Sequence, residues 1–168
     1  MKDSMVAYAT DLLIFGIDSR ETNNLRSLPE KYFSILLVKR TKEPFVNQWC
    51  LPGGYVKAEE TSRDASFRIL KKETNVDNIY LEQLYTFGSV KRDPRMRVVS
   101  TSYIALVDKN RLSNNLSNNA SWFDITLYEE KDNIVDITLD NGNTTISFEI
   151  EKILREQTTD RYSFKILK

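Results

Sequence analysis

QWCLPGGYVKAEETSRDASFRILKKETNV, residues 48–76, is the stretch from which the rest of the chain is read. Pro52 followed by Gly53 and Gly54 makes a rigid turn ending in paired glycines. The strongest helical pattern in the chain then runs over residues 61–74. Thr61 is a capping residue, and Asp64 stands where a capping box needs its acid. Phe67, Leu70 and Thr74 line one side of the helix, and Ala65, Ile69, Lys72 and Glu73 line another. Asn75 is a helix stop. A glycine turn that runs into a capped helix is a candidate pyrophosphate cradle, because turn N–H groups and the positive end of a helix both favour an anion. Pro-Gly-Gly is also a common turn, so the spacing of the residues around it has to decide.

On either side of this stretch the chain reads mainly as strands. Residues 5–17 are apolar on both alternating sets, which suits a long strand buried on both faces. Residues 33–38 (FSILLV) are a second buried strand. Residues 80–87 and 98–107 are two more, joined by the basic turn KRDPRMR at 91–97. A polar Asn-rich loop at 113–120 precedes a strand that begins at Trp122. Alternation over 135–140 and 146–150 around Asn141-Gly142 is a hairpin signal. The tail from 151 is ambiguous between helix and strand. The expectation is one α/β domain over 1–168 with a mixed sheet, its core at about 5–125 and the hairpin and tail at 126–168.

Composition bounds the chemistry. The chain has 168 residues and 19.6 kDa, with 40% apolar and 29% charged residues, which is globular composition. Lys plus Arg and Asp plus Glu are 24 each, so the chain lacks the overall basic field of a nucleic-acid binder. The absence of histidine excludes Ser-His-Asp and Cys-His catalysis and His-ligated zinc within this chain. Cys50 has no second cysteine to pair with and is read as a small buried apolar group. No apolar run approaches a membrane span, and the N-terminus is a poor signal peptide because Asp11 breaks its apolar stretch. The default is a cytoplasmic protein with no membrane partner.

Gly54, Glu60, Arg68, Leu70, Glu73 and Val76 fall in the frame Gly-x5-Glu-x7-Arg-Glu-U-x-Glu-Glu-x-Gly-U, with U aliphatic. This resembles the box of the Nudix (MutT-like) hydrolases, and Trp49-x-Leu51-Pro52-Gly53-Gly54 resembles the usual lead-in to it. Residues 84–107, with their Arg-Asp-Pro-Arg, resemble the ADP-ribose branch, which contains pyrophosphatases and Nudix-related transcriptional regulators. The resemblance implies an α/β/α sandwich around a mixed sheet, with the C-terminal hairpin as an addition, read as a docking or dimerisation arm. It implies a nucleoside diphosphate derivative such as ADP-ribose as ligand and a homodimer as an option. It also implies a closing helix, for which residues 148–157 are the available segment. The DNA-binding segment of the regulators has no counterpart in these residues, so the expectation is either a fold that ends differently or a chain that is the front part of something longer, incomplete at the C-terminus.

Hydrolysing a pyrophosphate requires stabilised phosphoryl charge and activated water, and Mg²⁺ or Mn²⁺ on carboxylates supplies both. Carboxylates at helix positions i, i+3 and i+4 lie on one face and can share such ions. Here those positions are Ile69, Lys72 and Glu73, and the terminal glycine of the box is Asn75. One neutral residue and one cation in place of two anions raise the local charge by three units. Each unit–unit term at ~4 Å is on the order of 2–4 kcal/mol at an effective dielectric near 20. The expectation is that metal-dependent hydrolysis is weak or lost, and that no cofactor is then needed.

In a working Mg²⁺-dependent hydrolase, the alternative, Glu59, Glu60 and Glu73 would be the metal ligands, helped by Glu129 or Glu130, with Glu73, Glu60 and Arg68 as the catalytic set. In either case Gly53 and Gly54 of the turn and Arg92 and Arg95 of the basic turn are the substrate-binding candidates, the basic turn reading equally well as a solvated hairpin, and Lys72, a departure from the family pattern, is a candidate for holding a diphosphate without metal. Arg68 is expected to pair with Glu60 or Glu73. Tyr85, Phe87, Trp49 and Trp122 are the candidates for stacking on a base.

Overall fold

A computed structural model describes residues 5–20, 30–77, 79–109, 116–129, 134–153 and 163–166. In chain order its elements are β1 (Ala7–Arg20), β2 (Glu30–Lys39), β3 (Trp49–Cys50), β4 (Gly53–Tyr55), α1 (Ser62–Thr74), β5 (Glu82–Phe87), β6 (Val98–Asp108), β7 (Ala120–Glu129), β8 (Ile134–Asp140), β9 (Thr145–Ile153) and β10 (Ser163–Ile166). All ten strands join one sheet in the order β10-β9-β8-β7-β2-β1-β6-β5, with β3 on β2 and β4 on β1. The sheet is mixed. β1 and β6 run parallel from Ala7↔Val98 to Ile17↔Asp108, and the other pairings are antiparallel.

The doubly apolar pattern of β1 is explained by its central place. Leu12 and Ile14 face α1, in a core with Leu36, Ile69, Leu70, Leu81, Tyr103, Ala105 and Val107. Phe15 faces the other way, against a second core of Ile35, Leu37, Phe123 and Leu139. Burying Ile69 and Leu70 contributes about 1.5–3 kcal/mol each, which is what fastens α1 to the sheet. At its start Thr61 and Asp64 form a complete capping box, and Asn75 ends it in the left-handed conformation at φ 54°.

The mixed sheet, the helix after the glycine pair and the added C-terminal strands agree with expectation. Two details differ. The hairpin is no free arm: β8 pairs with β7 from Asp124↔Asp140 to Glu129↔Val135, so β8 and β9 widen the sheet. Open backbone groups on the β7 edge gain more by continuing the ladder than by facing water. The candidate closing helix at 148–157 is instead strand β9 up to Ile153, because Ile146 and Phe148 alternate onto the second core. Residues 154–157 and the first three residues of the Asn-rich loop, 113–115, lie outside the described residues. No helix among the described residues is long and apolar enough to cross a membrane.

Candidate functional site

The end of β1 nearest the glycine turn carries the site. β4 pairs with β1 there, with Thr10 opposite Gly54 and Asp11 opposite Gly53. Alternation sends the two glycines to opposite faces. A Cβ on Gly54 would stand 3.6 Å from Cδ1 of Ile69, on the helix side. A Cβ on Gly53 would stand 2.5 Å from Oδ1 of Asp11 and 3.0 Å from the carbonyl of Thr10. The sequence therefore needs glycine at 53 for room, not only for the turn.

The start of α1 is capped as expected, and the cap brings an acid to the first turn. Thr61 Oγ1 accepts from the Asp64 N–H at 3.1 Å, and Asp64 Oδ2 accepts from the Thr61 N–H at 3.0 Å. The Thr61 hydroxyl, donating to Asp64 Oδ2 at 2.7 Å, and then the Thr61 N–H hold the Asp64 carboxyl below its ordinary range, so the first turn already faces an anion of its own. Of the two partners expected for Arg68, the structure selects Glu60. Nε donates to Glu60 Oε2 at 2.9 Å, Nη2 donates to Glu60 Oε1, and Nη2 also reaches the Tyr55 carbonyl at 3.2 Å. This fork, with the Lys57 N–H on Oε1 at 2.9 Å, holds the Glu60 carboxyl down at about 2. Glu60 and Arg68 thus tie the loop to the helix, while Glu59 is exposed beside them.

The three box positions on the helix show what replaced the acids. Ile69 is 3% exposed and belongs to the core. Glu73 is 6% exposed, and both its oxygens are taken: Lys72 Nζ donates to Oε1 at 2.5 Å and Ser117 Oγ to Oε2 at 2.6 Å. The Ser117 N–H also donates to the Glu73 carbonyl at 2.8 Å, so the turn before β7 is latched to the end of α1. Mg²⁺ demands a near-octahedral shell of oxygens. Glu59, Glu60 and Glu73 do not converge on such a shell, and the described residues contain no group of three His, Cys, Asp or Glu able to hold a metal ion. The donor set as it stands does not fit a divalent ion. Glu130 lies outside the described residues, and Glu129 ends β7 opposite Val135.

The two candidate arginines part company. Arg95 turns back on its own loop, with Nε on Asp93 Oδ1 at 2.9 Å and Nη2 on Oδ2 at 2.6 Å. That contact holds the Asp93 carboxyl well below its usual range. Arg92 instead crosses to β1, where Nη2 donates to Asp11 Oδ2 at 3.0 Å. Ser100 Oγ donates to the same oxygen at 2.5 Å.

The aromatic candidates separate too. Trp49 packs edge-on to Phe123 in the second core, and Trp122 packs against the first. Tyr85 and Phe87 stay exposed, as an edge-to-face pair 5.0 Å apart. They lie on β5 opposite Ser102 and Ser100, beside the Asp11 cluster. Cys50 is half-buried with Sγ 3.5 Å from the Val38 carbonyl, and burial raises its pKa, which fits an unreactive thiol.

Sequence reasoning passed over Asp11, Ser100 and Ser117. Asp11 did leave a signal: a carboxylate inside a strand apolar on both sides requires a partner. Ser100 and Ser117 left none, because their roles arise only from pairing between distant segments.

Comparison with known proteins bears on this arrangement. The family model described as NUDIX domain matches residues 26–139. The "ADPR responsive transcriptional repressor NtrR" of Acinetobacter baylyi is 34% identical over 100 residues, 58% of this chain and 36% of the repressor. An "ADP-ribose pyrophosphatase" of Methanocaldococcus jannaschii is 31% identical over 128 residues, 76% of this chain and 67% of that protein. The crystal structure of a MutT/nudix family protein from Enterococcus faecalis superposes with a TM-score of 0.65 at 25% identity, covering 90% of this chain and 53% of that one. The chain thus spans about a third of the repressor and about half of the solved structure. Hydrolases of this kind generally use divalent metal ions, against which the substitutions at 69 and 72 stand out. With a match over most of its length and a glycine turn, helix and mixed sheet in the same frame, the chain belongs to the NUDIX domain family.

Proposed function

We propose that this domain binds ADP-ribose, or a related nucleoside diphosphate derivative, and hydrolyses it weakly or not at all. The observation that carries the reading is the state of the box helix. Ile69 is core where the pattern has an acid, and Lys72 and Ser117 close off the carboxylate of Glu73. The ligand class is supported by the two relatives, one an ADP-ribose-responsive repressor and the other an ADP-ribose pyrophosphatase. The exposed ammonium of Lys72 takes the part of a tethered cation for the diphosphate, and Tyr85 and Phe87 offer faces on which a base can stack. The domain then acts as a cytoplasmic ligand sensor and as the sensing part of a regulator.

Titration calorimetry with ADP-ribose in EDTA tests the binding, and phosphate-coupled turnover with Mg²⁺ and Mn²⁺ tests the hydrolysis. The expected result is metal-independent binding, weakened in Lys72→Glu, with turnover at background. Tighter metal-free binding in Lys72→Glu, or turnover that disappears in Glu73→Gln, overturns it.

A further inference from the structure

Arg92 sits in an exposed loop, and an unanchored arginine there would have to be ordered each time an anion bound. It is anchored by a residue that belongs to the sheet. Asp11 stands on the central strand, three-quarters buried, and its Oδ2 accepts from both Arg92 Nη2 at 3.0 Å and the buried Ser100 Oγ at 2.5 Å. Its Oδ1 lies over Gly53, in the space that a side chain at 53 would fill. Three segments far apart in the chain, β1, β4 and the start of β6, thus converge on one carboxylate that fixes where the guanidinium stands.

Among the described residues this single nitrogen is the one side-chain bond Arg92 makes. The rest of its five-donor fork remains for a ligand. Arg95 is the contrast, spending two nitrogens on Asp93. The pair answers the need of a mostly buried Asp11 for a partner, while a third of the Arg92 side chain stays exposed and within reach of a ligand.

The geometry points to Asp11 as a positioning residue that aims Arg92 at the phosphates of the bound nucleoside diphosphate derivative. The inference rests on the ligand reading above and assigns the anion-binding role to Arg92 rather than Arg95. Pairing with the guanidinium offsets the negative charge of Asp11, so the carboxylate orients the arginine without repelling the ligand.

Calorimetry with ADP-ribose in EDTA on the full chain tests it in a double-mutant cycle of Asp11→Ala, Arg92→Ala and the pair, with Asp11→Asn as the isosteric variant. Thermal melts without ligand run alongside. We expect each single alanine variant to weaken binding by about fivefold to tenfold, and the pair to be no weaker than Arg92→Ala alone. Asp11→Asn should lose affinity while its melting temperature stays within about 2 °C of wild type. Arg95→Ala should bind within about twofold of wild type. If wild type binds and Asp11→Ala and Asp11→Asn bind equally well, or if the losses at 11 and 92 add, the positioning role is wrong while the ligand reading stands. If wild type does not bind ADP-ribose, the ligand reading falls and takes this role with it.

Discussion

Lys72 places its ammonium 2.5 Å from Oε1 of Glu73, the next residue in the chain. The cation therefore rests on the one helical carboxylate that the family's metal-binding pattern retains. With Ser117 on the other oxygen, each oxygen of the acid has a partner inside the protein.

The two contacts to Glu73 should differ in weight. Ser117 bonds a carboxylate that is 6% exposed, and Ser117→Ala should destabilise the fold by about 1–3 kcal/mol by leaving that oxygen unsatisfied. The side chain of Lys72 is 75% exposed, so Lys72→Met should change stability by less than about 1 kcal/mol. Urea unfolding of the two variants checks the order.

Ile69 carries core packing that an acid cannot replace. Ile69→Ala should cost about 2–4 kcal/mol in urea unfolding. Lys72→Glu puts an acid back beside Glu73 on the exposed side of the helix without touching that packing. Mg²⁺ should raise the melting temperature of Lys72→Glu and leave wild type unmoved, which a thermal-shift titration reads.

Gly53 is a steric requirement. Gly53→Ala puts a Cβ 2.5 Å from Asp11 Oδ1 and 3.0 Å from the Thr10 carbonyl, and the backbone atom cannot swing aside. A loss of about 1–3 kcal/mol is expected in denaturant unfolding. Gly54→Ala, whose new Cβ would meet Ile69 at 3.6 Å, an ordinary packing distance, should cost less.

The Glu60–Arg68 fork predicts a pH signature. The Glu60 carboxyl is held at about 2 in the fold against an ordinary 4.5, chiefly by the Arg68 hydrogen bond. A depressed acid stabilises the fold above its unfolded value, and that contribution fades as pH falls from 4.5 towards 2. Above pH 5 the melting temperatures of wild type and Glu60→Gln should run parallel, with wild type higher. Between pH 4.5 and 2 the gap should close, since the glutamine variant has no proton to take up there. A gap that stays constant down to pH 2 would exclude Glu60 as the titrating group.

The helix was legible residue by residue because its rules are local. Thr61 with Asp64, and Asn75 at the end, act across a few positions, and the structure has the capping box and the left-handed stop. The Asn141–Gly142 hairpin is local in the same way, with Gly142 at φ 82°. The departures at Ile69 and Lys72 were legible once the resemblance supplied the frame of the box, since a helix of known start fixes which side chains share a face. What those residues touch could not.

Chain order by itself determined the class of fold and the position of the helix, because those follow from capping and periodicity within a few residues, and the resemblance to the family's box added the loss of two acids from its face. Tertiary structure alone decided that Glu73 is closed by Ser117, that Arg92 reaches Asp11 while Arg95 does not, and that β9 continues the sheet as a strand. Each of these depends on which distant segments lie side by side, above all on the parallel pairing of β1 with β6 across some ninety residues of chain. Such a pairing is chosen by burial of the whole sheet at once, and no short window of sequence contains it.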